Sequence, residues 1–188
     1  MIDIIKLFPK LLRWIVGYAK IEKYLYGVFF EKGSGKILLV ETDKGYWLPG
    51  GGVIPKDIFG FGEGWKRRFF CRVIPDQIGT SAYAFEDEIQ DMPANYEVYP
   101  PGKRKEYAAI IIGDIYHYQV TKAQAKFYSV EDFEKLYREG KIDKNQALLI
   151  LRAFVSRDCP SKEYKKQAVP LIKELLKQRS FFRAFSSF

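Results

Sequence analysis

Between Tyr24 and Glu41 the chain places two apolar runs on either side of a glycine-rich break. Tyr24-Leu-Tyr-Gly-Val-Phe-Phe-Glu31 has the composition of a strand, because aromatic and β-branched side chains suit a pleated, packed surface. Gly33-Ser34-Gly35 reads as a turn, and Lys36-Ile-Leu-Leu-Val-Glu41 as the second strand of a hairpin. Asp43-Lys44-Gly45 is a further turn. Tyr46-Trp47-Leu48-Pro49 then runs into Gly50, Gly51 and Gly52. Residues 65–74 predict a short helix stopped by Pro75, which lacks the backbone N–H a helix interior needs. Gly79 suits a helix C-terminal cap. Tyr107 to Val120 predicts a long strand. Ser129 is a good N-cap with Asp132 three residues on, close to a capping box, and Gly140 would end that helix. Another helix is expected from Asn145 to Val155. Strands with interspersed helices give an α+β or α/β fold.

Charge divides the chain in three. The net charge is +8 on 188 residues, but residues 28–160 balance their acids and bases. Residues 1–27 carry five basic side chains against two acidic, and residues 161–188 carry seven against two. The expected organisation is an amphipathic basic helix over 1–23, a central domain over 24–158 and a basic helical extension over 159–188. In the extension, Pro170 suits the first turn of a helix through Leu171, Ile172, Leu175 and Leu176. The plain reading is two helices packed on the domain with basic faces in water. The sharper readings are a polyanion such as nucleic acid, a membrane surface or another partner, an oligomer included.

Several classes are excluded. At 47% hydrophobic residues the chain is too apolar to be largely disordered. Two cysteines, Cys71 and Cys159, make no disulfide scaffold, and a cytoplasmic location is expected. No apolar run is long enough for a transmembrane helix. His117 is the sole histidine and sits in a predicted strand, so a histidine-based triad or zinc site is disfavoured. Cys71 is expected to be buried against Phe69 or Phe70. Gly60-Phe-Gly-Glu-Gly lacks the Lys-Ser/Thr of a phosphate loop and reads as an insertion. Glu86, Asp87 and Glu88 read as a solvated loop, and Pro100-Pro-Gly-Lys-Arg-Lys as a basic turn.

The segment Trp47-Leu-Pro-Gly-Gly-Gly, with the hairpin before it and Arg72 to Gly79 after it, resembles the Nudix superfamily. Trp47-Leu48-Pro49-Gly50-Gly51 resembles the family's entry into its signature box. Arg72 and Gly79 keep the spacing of its Arg-Glu-U-x-Glu-Glu-x-Gly segment. Ala125 to Leu136, and Gly140 to Leu148, resemble the approach to its last helices. The likeness covers roughly residues 24–155. It implies a mixed sheet sandwiched between helices, extended here by N- and C-terminal helices.

The resemblance also implies glutamates that hold Mg²⁺ or Mn²⁺ against a diphosphate. Such hard cations need several oxygen ligands. Here Val73, Asp76 and Gln77 stand where the family has glutamates, so the box is degenerate. Two alignments of its upstream half compete: Gly51 with Asp57, or Gly62 with Glu63. Lys66, Arg67 and Arg68 occupy the helix start, where they would repel cations and attract an anion. The leading expectation is a Nudix-like domain that binds a nucleotide-like or phosphorylated ligand through Trp47, Gly51, Gly52, Lys66, Arg67, Arg68 and Arg72, without standard hydrolysis. The alternative is an active pyrophosphohydrolase with Asp57, Glu63 and Asp76 as metal ligands, Glu63 and Asp76 being catalytic. The third is a scaffold or polyanion binder acting through the basic flanks.

Overall fold

A computed structural model describes residues 21–54, 56–57, 64–79, 90–91, 95–99, 103–114 and 120–185. Side chains are described for 23–54, 56–57, 64, 66, 68–79 and 120–177. The expected helix over 1–23 falls almost wholly outside these residues, as do His117, Glu63 and the Glu86–Glu88 run.

The described residues form an eight-stranded mixed sheet. Its centre is β1 (Ile21–Phe30), which starts three residues before the expected strand. β2 (Ile37–Thr42) closes the predicted hairpin, with Phe30 opposite Ile37. β3 (Gly45–Trp47) pairs antiparallel with β2, and β4 (Gly50–Gly52) pairs antiparallel with β1. β5 (Gln90–Asp91) and β6 (Asn95–Tyr99) both lie antiparallel to β7. β7 (Lys103–Asp114) starts earlier than the expected strand at Tyr107 and runs parallel to β1. β8 (Ala125–Tyr128) takes the other edge of β2.

Side chains alternate across a strand, so β1 and β2 feed two cores. Tyr26, Val28, Phe30, Ile37 and Leu39 face one layer, and Leu25, Phe29, Leu38 and Val40 the other. Both faces are covered, which is why these strands read as continuous apolar runs.

Helix α1 (Trp65–Ile78) covers the second layer through Phe69, Phe70, Ile74 and Ile78. It does not stop at Pro75. Burial of Ile74 and Ile78 on either side of the proline carries the helix on, although the Cys71 carbonyl loses its usual i+4 donor. Gly79 caps it as expected, at φ +81° with its N–H on the Pro75 carbonyl at 3.0 Å. Cys71 is exposed, not buried, because the helix turns Phe69 and Phe70 inward instead.

The first layer is covered by α2 (Val130–Arg138), α3 (Lys144–Val155) and α4 (Lys162–Phe185). Ser129 and Asp132 complete a capping box on α2. Gly140, at φ +73°, ends it, with N–H bonds from Gly140 to Tyr137 O and from Lys141 to Leu136 O, the paired pattern of a Schellman cap. α4 starts eight residues before Pro170, with the Tyr164 N–H on Ser161 Oγ at 3.2 Å. Ala168 and Leu175 are buried in the main core, and that anchoring holds the helix through its proline.

Candidate functional site

The glycine-rich segment is pinned at both ends. The Gly27 N–H reaches Pro49 O at 2.7 Å, and the Leu48 N–H reaches the buried Gln146 Oε1 at 3.1 Å. The Val53 N–H reaches Lys23 O at 2.8 Å. Gly50 lies so close to β1 that a Cβ would strike the Leu25 carbonyl and Tyr26 Cα, and its φ of +147° also favours glycine. A Cβ on Gly51 would meet open space. Gly50 thus lets the backbone of β4 lie close against β1.

Helix α1 then lays two side chains over that strand. Arg72 donates Nε to Asp57 Oδ1 at 2.9 Å and Nη2 to Asp57 Oδ2 at 2.6 Å, and Nη2 also reaches Gly52 O at 3.4 Å. One turn earlier, Arg68 donates Nε to the Asp57 backbone carbonyl at 3.1 Å. Asp57 Oδ2 also accepts the Ile54 N–H at 2.9 Å. Asp57 is buried, whereas the Arg72 side chain is 41% exposed. Burial pushes the Asp57 carboxyl up, but the Arg72 hydrogen bonds, the Ile54 N–H and the charges of Arg72 and Arg68 outweigh it and hold the pKa below the ordinary aspartate value. The Arg72 pKa is raised in turn, through its bond to Asp57. Further along α1, Gln77 Oε1 accepts the Gly50 N–H and Gln77 Nε2 donates to the Gly50 carbonyl, both at 2.7 Å.

The structure therefore brings together Asp57, Arg68, Arg72, Gly52 and Gln77. Of the other expected residues, Gly51 lies in β4 between Gly50 and Gly52. Trp47 packs on the opposite layer, 6.3 Å from the Tyr26 ring between centroids. Asp76 is an exposed side chain on α1, and Lys66 is half-buried in its first turn. The side chain of Arg67 lies outside the described residues, as do Gly62 and Glu63 of the second alignment. Sequence reasoning named Arg72 and Asp57 separately but not their pairing, and it read Gln77 only as standing where the family has a glutamate. No sequence signal ties an amide side chain to one particular backbone group.

A hard divalent cation takes several oxygen ligands. Asp57 already carries three hydrogen bonds, Gln77 spends both amide groups on Gly50, Val73 has no ligand atom, and Asp76 is a single carboxylate. Among the described residues no group of three or more His, Cys, Asp or Glu is placed to hold a metal ion. The described residues do not fit a metal centre. What they do form is a hydrogen-bonded junction that leaves a partly exposed guanidinium beside an open glycine backbone.

No family model matches the sequence, and no curated protein matches it. Solved structures are similar to it in fold. The C-terminal domain of mouse MUTYH, in a complex with human PCNA, is 10% identical with a TM-score of 0.49, over 71% of this chain and 86% of that one. The C. elegans Ap4A hydrolase is 19% identical with a TM-score of 0.42, over 71% and 96%. A Chromobacterium violaceum protein assigned to the nudix hydrolase family is 14% identical with a TM-score of 0.33, over 85% and 96%. At such identities the likeness concerns the fold alone. A mixed sheet covered on both faces by helices, with the glycine strand and the helix after it in the order the box resemblance implies, gives the chain a Nudix-like fold.

Proposed function

We propose that this Nudix-like domain binds a nucleotide-like or phosphorylated ligand between β4 and α1, without metal-dependent hydrolysis. The observation that carries the reading is the commitment of Asp57. The carboxylate nearest Arg72 is an internal counter-ion whose two oxygens accept three hydrogen bonds, so it has little left for a cation. Arg68 and Arg72 both reach this one buried residue, Arg72 at its carboxylate and Arg68 at its backbone carbonyl, which sets two guanidinium groups beside β4. A guanidinium offers its N–H groups in a planar fork that suits phosphate oxygens. Gly51 and Gly52 supply close backbone approach, and Lys66 and Arg67 add to the basic start of α1. The reaction class of a Nudix hydrolase is not assigned to this cleft.

The test has two arms on the full chain. Thermal-shift measurements with nucleoside mono-, di- and triphosphates and inorganic pyrophosphate, in EDTA, are expected to raise the Tm with at least one of them. The gain is expected to shrink in Arg68→Gln, which spares the Asp57–Arg72 pair. Absence of any shift overturns the ligand reading. The second arm incubates nucleoside diphosphate derivatives with Mg²⁺ or Mn²⁺. Turnover that is abolished in Glu63→Gln or Asp76→Asn would favour a pyrophosphohydrolase with displaced ligands instead.

A further inference from the structure

Gln77 occupies a position where the box resemblance implies a metal-binding glutamate, yet its hydrogen bonds are those of a strand. In the ladder between β4 and β1, the bond next to Gly50 runs from the Gly27 N–H to Pro49 O. The N–H and the carbonyl of Gly50 are then both taken by the Gln77 amide, at 2.7 Å each. An amide side chain has one acceptor and one donor side, as a peptide group has, so Gln77 completes the outer edge of β4 as a neighbouring strand would. Arg72 touches the other end of the same strand at Gly52 O. Two side chains of α1 thus hold β4 at Gly50 and at Gly52, with Gly51 open between them.

We infer that Gln77 is a positioning residue, an amide clamp that fixes β4 against α1 in a form independent of any cation. The chemistry is selective. A carboxylate at 77 could accept the Gly50 N–H but would face the Gly50 carbonyl with like partial charge. A protonated carboxyl could do both, accepting through C=O and donating through O–H. Aspartate and asparagine are one methylene short. The clamp therefore requires a neutral group of this length.

The experiment needs no ligand, so its outcome is separate from the fate of the proposed cleft. Amide hydrogen exchange on the full chain is expected to show Gly50 protected, and equally so in EDTA and in Mg²⁺. Gln77→Ala and Gln77→Asn should both lose that protection. Gln77→Glu carries the decisive pH profile. Its folded-state pKa is expected to lie above the unfolded value of about 4.3, because the folded state favours the protonated acid. Its Tm deficit against wild type should then be small near pH 4, grow as pH rises through the folded pKa, and reach several degrees at pH 7.5. A merely space-filling role would give a deficit that does not follow pH. Three results overturn the clamp: rapid exchange at Gly50 in the wild type, protection that requires Mg²⁺, or a Gln77→Glu protein as stable as wild type at pH 7.5. Should Gln77→Glu fail to fold at neutral pH, the wild-type exchange measurements still decide.

Discussion

Asp57 shows how little a residue type fixes until its neighbours are known. From the sequence it reads as a ligand for a cation, and in the fold it is the counter-ion of Arg72. Its carboxyl is buried but held below the ordinary aspartate pKa, so its contribution to stability has a definite sign. The folded pKa is depressed, so the stabilisation is complete above the unfolded value of about 3.9 and is lost as pH falls through the folded pKa. Asp57→Asn should cost about 2 kcal/mol at pH 7, the scale of hydrogen bonds to a charged group. The deficit should fade in acid, and parallel Tm curves from pH 2 to 7 would contradict it. Arg72 and Gly79 were legible because their spacing is local and matches a known pattern. The Asp57–Arg72 pairing and the Gln77 bonds were not. One joins side chains 15 residues apart, and the other joins a side chain to a backbone group 27 residues away. A sequence displays side chains but not which main-chain donors a sheet leaves over.

Elements divide along the same line between local and tertiary causes. The capping box at Ser129, the glycine ends at Gly79 and Gly140 and the first hairpin were all readable, because each depends on residues within one turn. The two prolines misled. Pro75 reads as a helix stop and Pro170 as a first-turn residue, but Ile78, and Ala168 with Leu175, are buried in the two cores and keep both prolines inside α1 and α4. Ser129→Ala should cost about 1 kcal/mol by removing the cap, read as a lower midpoint in urea. The glycine strand gives a sharper contrast. Gly50→Ala puts a Cβ into the Leu25 carbonyl and the Tyr26 Cα, backbone atoms that cannot turn aside as a side chain can, and against the Tyr26 ring as well. Gly51→Ala meets nothing and carries only the strain of a φ of +153°. Chemical denaturation should therefore show a loss of more than about 3 kcal/mol for Gly50→Ala and about 1 kcal/mol for Gly51→Ala. Equal losses would mean that β4 does not sit against β1 as described.

Over the whole molecule, the balance of charge and the placement of the core pull apart. The +8 excess belongs to the two flanks, which suggests that both could be removed from a neutral domain. The C-terminal flank does not behave as an appendage. α4 buries Ala168 and Leu175 in the same core as β1, β2 and α3, and half-buries Tyr164, Leu171 and Ile172. Full burial of one such apolar side chain is worth about 1.5–3 kcal/mol, so removing the helix forfeits an amount comparable with the whole stability of a typical domain, about 5–15 kcal/mol. Truncation before Lys162 should therefore abolish cooperative unfolding, and a loss of polyanion binding in such a fragment would say nothing about charge. A cleaner variant leaves the buried face intact. Lys162, Lys166 and Lys173 are all exposed on α4. Changing the three to Gln should shift stability by no more than about 0.5 kcal/mol each. On the reading that this flank holds a polyanion, the slope of log K against log salt for duplex DNA should fall by up to about 3 units, near one for each phosphate that a lysine no longer neutralises. A slope that stays at the wild-type value, in a protein with an unchanged Tm, would exclude these lysines from polyanion binding and leave them as the solvated face of a core helix.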